Sequence, residues 1–425
     1  MQVIPFSPVQ IIRRIMAAHN DSVGVKDGFQ CSRIPAQSRG LPFRFSMRKV
    51  FLLAIFCCGC SCEFVLAAGA DDGLSRLGQA LFFDANLSAH RNQSCSSCHD
   101  PGRAFSDGRD NGVSGAVSLG SDGRSLGSRN APATTYAFLV PEFSQDADDE
   151  YAGGFFLDGR AATLAEQAAE PLTNPLEMAL PDRRAVVDRV LENAVYVAAF
   201  RELFGTAIFS DTEPAFSAVT HSIAAFERTR QFATFDSKYD RYLRGEYDFT
   251  AEEELGRVLF FSQLINCSNC HLLDTREFST GELFTNHRYH NIGVPANPGL
   301  AAIPNRSSQP PDPGLFGNPR VNDPAMAGKF RVPSLRNVAV TAPYMHNGVF
   351  RDLRTAILFY NRFTLGNRQS QVNPETGEPW GAAEVPQTVD LALLRTGQPL
   401  ADNHVDALLA FLRTLTDRRY EGLLR

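Results

Sequence analysis

Two runs of the same five-residue pattern, Cys95-Ser96-Ser97-Cys98-His99 and Cys267-Ser268-Asn269-Cys270-His271, constrain this chain more than any other feature. Two thiols three residues apart, followed at once by an imidazole, suit covalent capture of a haem through its two vinyl groups, with the histidine beneath the iron as axial ligand. A zinc site assembled from two Cys-x-x-Cys knuckles is the competing reading. The histidine that follows each pair, and a secretory leader, favour two covalent haem c groups. The chain has nine cysteines; Cys31, Cys57, Cys58, Cys60 and Cys62 fall in the first 70 residues, and the others are those of the two motifs. No thiol beyond residue 70 remains for a disulfide, which suits an oxidising compartment where thioether bonds consume them all.

The leader is read from Met47-Arg48-Lys49, the apolar run Val50 to Ala68 and the small-residue exit Ala67-Ala68-Gly69-Ala70. A basic start, an apolar centre and small residues at the end describe a signal peptide. On this reading translation starts at Met47, residues 1–70 are leader, and the protein is periplasmic. Cysteines, Gly59 and Glu63 interrupt the run, which weighs against a stable membrane span; a lipoprotein cysteine is the alternative. Beyond residue 70 the chain holds 33 Lys+Arg against 44 Asp+Glu, a formal net charge of −11. That speaks against nucleic acid as a partner and suits docking of a basic soluble protein.

A chain of 425 residues exceeds one ordinary core. An internal repeat shows how it divides: Leu77-Gly78-Gln79-Ala80-Leu81-Phe82-Phe83 precedes Cys95, and Leu255-Gly256-Arg257-Val258-Leu259-Phe260-Phe261 precedes Cys267. One helix-then-haem unit therefore occurs twice, and a boundary is expected near Gly245, with haem domains at 71–245 and 246–425. Apolar residues recur at helical steps over 182–204, 214–230 and 402–416, whereas 100–135 and 286–345 are rich in Gly, Pro, Asn and Ser. The expected fold class is mainly α: two cytochrome c-like haem domains with long ordered loops and no extended sheet.

Three further segments carry a resemblance. Gly159-Arg160 with Gln167-Ala168, Pro171-Leu172, Asn174-Pro175 and Glu177-Met178 is similar to the distal segment of bacterial di-haem cytochrome c peroxidases. So are Phe330-Arg331-Val332-Pro333-Ser334-Leu335-Arg336-Asn337 and Ala342-Pro343-Tyr344-Met345-His346-Asn347-Gly348, and the likeness runs from about Leu77 to Leu415. It implies hydrogen peroxide as substrate at an open haem on His99, with Glu177 as the acid–base group of O–O cleavage and Gln167 orienting the peroxide. A second haem on His271 would relay electrons. They would come from a small soluble cytochrome c or cupredoxin, or, as in the MauG-type subgroup, from a protein substrate. A non-catalytic dihaem electron carrier and a haem-based gas sensor are the remaining readings.

Within that family the chain leans to the MauG-type subgroup. The reductively activated peroxidases block the first haem with a histidine eight residues before the Asn of Arg-Asn-Ala-Pro. In this chain Asp122 stands there, and no histidine occurs between His99 and His221. The second haem's distal ligand, a methionine in the peroxidases, falls on Tyr360; Met326, Met345, His287, His290 and His346 are rival ligands. A phenolate favours higher oxidation states than a thioether does. One departure stands out. The residue before Asp-Gly-Arg, a tryptophan between the haems in both subgroups, is Leu157, and the single tryptophan is Trp380. Electrons would then tunnel directly, or Phe156 or a tyrosine would substitute in position only, or charge sharing between the haems would be weak. The resemblance also implies an inter-domain calcium ion on the Asn130 side chain and the carbonyls of Thr341 and Pro343, and places Arg331 and Arg336 as partners of haem propionates.

Overall fold

The computed structural model describes residues 70–273, 281–303, 310–364 and 371–424. From Gly69 onward the chain is one compact unit. The expected leader lies outside the described residues, apart from Ala70. Among the described residues, no helix is long and apolar enough to cross a membrane.

Nine α-helices longer than one turn carry the described fold. They are α1 (Ala70–Phe82), α2 (Leu164–Thr173), α3 (Arg183–Leu191), α4 (Ala194–Phe204), α5 (Thr212–Glu227), α6 (Lys238–Leu243), α7 (Ala251–Phe261), α8 (Leu353–Asn361) and α9 (Asp402–Arg413). Most begin at a side-chain cap that offers an oxygen to an otherwise orphaned N–H. Asp182 accepts from Ala185 N–H at 2.8 Å, and Thr250 and Glu253 form a reciprocal capping box at the start of α7. The periodic stretch 182–204 divides in two because Asn193 caps a new helix, accepting from Val195 N–H at 3.0 Å. Gly205 ends α4 with φ 91°, a conformation that costs a glycine little.

The two copies of the sequence repeat become two helix crossings. α1 crosses α5, and α7 crosses α9, each so closely that a glycine is required at the contact. A Cβ on Gly78 would lie 1.8 Å from the Ser222 carbonyl oxygen, and one on Gly256 would lie 1.9 Å from that of Ala407. One turn on, Phe82 meets Phe226 and Phe260 meets Phe411, both pairs with ring centroids 5.3 Å apart. The crossings seed two separate cores, one around Phe82, Phe105, Phe226 and Phe232, the other around Phe260, Phe284, Phe411 and Tyr239. Each such buried ring contributes roughly 1.5–3 kcal/mol by leaving water.

β-structure among the described residues is confined to two-residue ladders and isolated bridges. β1 (Ser144–Gln145) pairs antiparallel with β2 (Tyr151–Ala152), Ser144 opposite Ala152. β3 (Tyr289–His290) pairs antiparallel with β4 (Phe330–Arg331), Tyr289 opposite Arg331. The chain is therefore mainly helical, as expected. Gly245 occupies a turn between α6 and α7. α6 precedes it in sequence, yet its Tyr239 packs in the second core. The C-terminal turn runs the other way: Tyr420 donates to the Pro101 carbonyl at 3.0 Å, across 319 positions of sequence.

Candidate functional site

Both Cys-x-x-Cys-His motifs open onto one cavity of about 590 Å³. Cys95–Cys98 is a single helical turn whose Ser94 N–H is held by Ser97 Oγ at 3.0 Å. Cys267–Asn269 forms the equivalent tighter turn, entered through Asn266 at φ 62°. All four cysteines are unpaired, and all line the cavity.

The histidines repeat the same design. His99 Nδ1 faces the Phe105 carbonyl at 3.2 Å, and His271 Nδ1 faces the Phe284 carbonyl at 2.9 Å. A backbone acceptor on Nδ1 fixes the tautomer that leaves Nε2 free as a metal ligand. Burial lowers both imidazoles from their ordinary range, His271 to about 4, so they are neutral as a ligand must be. Phe105 and Phe284 both sit in the left-handed region, at φ 55° and 57°, which turns each carbonyl toward its histidine while the ring stays in the core. This pairing was not legible from spacing, because Phe105 follows its histidine by 6 residues and Phe284 by 13.

Among the described residues, six buried side-chain polar atoms lack a protein partner. Four of them belong to cavity-lining residues: Gln93 Oε1, Thr134 Oγ1, Glu227 Oε2 and Arg331 Nε. Orphaned polar atoms are costly unless something else answers them. Together with free thiols and neutral imidazoles, they make this lining fit two haems.

Gln167 and Glu177 both reach the cavity. Glu177 Oε1 accepts from Asn174 Nδ2 at 2.9 Å, and burial raises its carboxyl above the usual range. Asp122 is elsewhere: it closes an exposed turn, accepting from Ser125 Oγ and from the N–H groups of Arg124 and Ser125, and it is absent from the cavity wall. Sequence reasoning missed Glu227. This residue is 4% exposed, and burial holds its carboxyl up at about 8. The repeat contains the signal for it, since Phe226 and Phe411 are equivalent and the next residues are Glu227 and Leu412. One half thus has a carboxyl where the other has a leucine, and both line the cavity.

Tyr360, on α8, lines the cavity with Cys267 and Cys270, and 40% of its surface is open. Two rivals are engaged: His290 Nδ1 meets Asp390 at 3.1 Å and His346 Nε2 meets Glu384 at 2.9 Å. His287 touches Arg331 at 3.3 Å, and Met345 also lines the wall. Met326 lines a separate small pocket instead. Leu157 lies on the wall, its carbonyl accepting from Arg331 N–H at 2.9 Å. Trp380 does not, packing against Phe350 and Phe359.

The two arginines differ. Arg336 gives Nη1 and Nη2 to Asp240 at 2.7 and 3.0 Å, Nη1 also to Ser237 Oγ at 3.2 Å and Nε to the Glu282 carbonyl at 2.6 Å, so all three of its nitrogens are already engaged. Arg331 is half-buried with a buried, unpartnered Nε, and desolvation lowers its guanidinium's hold on its proton. Asn130 and Pro343 come together beside Gly115, and Thr341 lines the same wall. Asn130 turns its amide nitrogen to the carbonyls of Gly115 and Ala116.

Comparison with known proteins places this geometry. Residues 73–248 match the family model described as di-haem cytochrome c peroxidase. The chain is 51% identical to the methylamine utilization protein MauG of Paracoccus denitrificans, over 84% of this chain and 92% of that protein. It is 30% identical to the cytochrome c551 peroxidase of Pseudomonas aeruginosa, over 69% of this chain and 72% of that one. Among solved structures, the diheme peroxidase BthA of Burkholderia thailandensis superposes with a TM-score of 0.72 at 34% identity, covering 83% of this chain and 88% of that chain.

Proposed function

The chain belongs to the di-haem cytochrome c peroxidase and MauG family of oxidoreductases, and from that premise we propose that it reduces hydrogen peroxide in the periplasm at the His99 site. Electrons reach that site through the His271 site. The observation that carries this reading is that Gln167 and Glu177, whose carboxyl is raised above its ordinary range by desolvation, both line the cavity that His99 enters.

Cys95, Cys98 and His99 would hold one haem and Cys267, Cys270 and His271 the other, and the two would supply electron-accepting and electron-donating iron when bound. The protein's part is proton handling and placement. Gln167 orients the peroxide by hydrogen bonding. Glu177 takes a proton from the near oxygen and returns it to the leaving oxygen, a task for a carboxyl raised toward neutral pH. Asn174, donating to Glu177 Oε1, fixes the direction in which that proton moves. The exposed turn at Asp122 brings no side chain to block the site. At the second site Tyr360 would offer an oxygen ligand, and the halves divided near Gly245 would hold one haem each. Arg331 would meet a propionate through its uncommitted Nε, whereas Arg336 is already paired with Asp240. Asn130, Thr341 and Pro343 would hold a calcium ion through oxygens.

A protein substrate as the electron source is the second reading, favoured by 51% identity to a MauG and by Tyr360 at the position of the distal ligand. Low-temperature EPR of the untreated ferric holoprotein, before and after one equivalent of peroxide, tests the proposal. One high-spin and one low-spin signal, with a prompt response and no prior reduction, are expected. Two low-spin signals indifferent to peroxide would sink it. Steady-state turnover with reduced cytochrome c or cupredoxin separates a small carrier from a protein substrate.

A further inference from the structure

Tyr136 was not singled out by its sequence context, and its surroundings are unusual. The residue is 1% exposed and lines the cavity shared by the two motifs. Its hydroxyl donates to Asp417 Oδ1 at 2.5 Å and accepts from the Phe235 N–H at 3.2 Å. Asp417 is itself fully buried, with Asn337 Nδ2 donating to its other oxygen at 3.0 Å.

Contacts run from this side chain toward each histidine. On one side, the Thr134 N–H donates at 3.1 Å to the Phe105 carbonyl, the same oxygen that His99 Nδ1 faces. On the other, the Arg336 guanidinium lies 5.5 Å from the Tyr136 ring and 5.6 Å from the ring of Phe284, whose carbonyl His271 Nδ1 faces. Tyr136 thus occupies the middle of one contiguous set of contacts joining the two histidines' backbone partners. A continuous packed and hydrogen-bonded route of this kind is the physical prerequisite for coupling two sites.

The chemistry of the phenol fits the position. Removing an electron from a buried tyrosine is feasible only if its proton leaves too, because a charged phenol radical has no solvation there. That requires a base already at hydrogen-bond distance. Asp417 meets the requirement. The other tyrosines on the wall do not: Tyr344 donates to the Val338 carbonyl at 3.0 Å, which is no base, and Tyr360 belongs to the second site. Leu157 and Phe156 are far harder to oxidise than a phenol.

We propose that Tyr136 is a redox relay between the two haem sites, its proton passing to Asp417 as it is oxidised. The proposal rests on the peroxide reading above, which supplies the oxidising equivalent. In the forward step the phenol O–H bond breaks, an O–H bond forms on Asp417, and one electron goes to the more oxidised site. The neutral tyrosyl radical then takes an electron from the other site and recovers its proton from Asp417, so nothing is consumed. Tyr136 touches neither motif's histidine directly, and its task is electron transfer rather than peroxide cleavage.

The test uses holoprotein prepared with ordinary or ring-deuterated tyrosine. Each is mixed with one equivalent of hydrogen peroxide without reductant, frozen rapidly, and read by EPR beside the haem absorption spectrum. A radical signal narrowed by deuteration is expected, lost in Tyr136→Phe and diminished in Asp417→Asn, while the haem absorption of both variants still responds to peroxide. A haem response in the wild type with no deuterium-sensitive radical would overturn the relay and leave the peroxide reading standing. So would an unchanged radical in Tyr136→Phe. No haem response at all would overturn both. The labelled wild-type comparison needs no substitution, so it decides the matter even if a variant does not fold.

Discussion

Substituting alanine for Gly256 would test whether the sequence repeat is a packing repeat. The new Cβ would lie 1.9 Å from the Ala407 carbonyl oxygen and 2.8 Å from Phe411 Cβ. A comfortable carbon–oxygen contact is roughly 3.3 Å, so α7 and α9 must part by about 1.4 Å. The first obstacle is backbone, which no rotamer change can relieve. Overpacking costs typically ~1–3 kcal/mol, and this site belongs at the upper end. Alanine's better helix propensity returns about 1 kcal/mol, leaving a net loss of about 2 kcal/mol. Gly78→Ala, at 1.8 Å from the Ser222 oxygen, should lose a similar amount in the other core. Gly73→Ala is the control: on α1 its Cβ meets only the flexible end of Leu203 at 3.2 Å, and it should be neutral or stabilising by up to ~1 kcal/mol. Urea unfolding of the holoprotein, followed by circular dichroism, reads the shifts. If Gly256→Ala and Gly78→Ala unfold at the wild-type midpoint, the helices are not held at the distance argued here.

Three other perturbations follow from the site and its support. Glu177→Gln should slow peroxide consumption by about 10²–10⁴-fold, as loss of a general acid–base does, while leaving the ferric spectrum little changed; stopped-flow absorption measures it. Glu227 should make stability fall as pH rises from the ordinary carboxyl range to about 8, because over that window the folded state holds a proton that the unfolded state has released; in Glu227→Gln this part of the slope should vanish, and denaturation midpoints at several pH values would show a persisting slope if the assignment is wrong. Asp240→Ala should cost about 3–5 kcal/mol by stranding the buried Arg336 guanidinium, whereas Asp240→Leu with Arg336→Met should recover most of the loss; equal unfolding midpoints for the single and double variants would refute the pairing.

Much of the architecture was legible because the motifs and the repeat are local in sequence. The pattern Leu-Gly-x-x-Leu-Phe-Phe before each haem motif already contained the crossing glycine and the core phenylalanine, although not the partner helices. The helical stretches at 182–204, 214–230 and 402–416 formed helices, with boundaries set by caps such as Asn193 that a hydrophobic period does not register. Arg331 and Arg336 looked equivalent as a sequence pair. Folding separated them by giving Arg336 the carboxylate of Asp240, 96 positions away.

The sequence by itself pointed to haem as the cofactor, since a thiol pair and the adjacent histidine need no distant partner to be recognised. It also determined the internal repeat and the helical class, because periodicity and repetition are properties of the chain alone. Only the tertiary structure decided which groups share the cavity. Glu227 is an ordinary surface-type residue until α5 turns it inward against Cys95 and leaves one oxygen without a partner. Tyr136 and Asp417 are 281 positions apart and meet only because the C-terminal segment folds back onto the first half. Burial and hydrogen bonding create the acid–base character of such groups, and both are set by residues that no local pattern links.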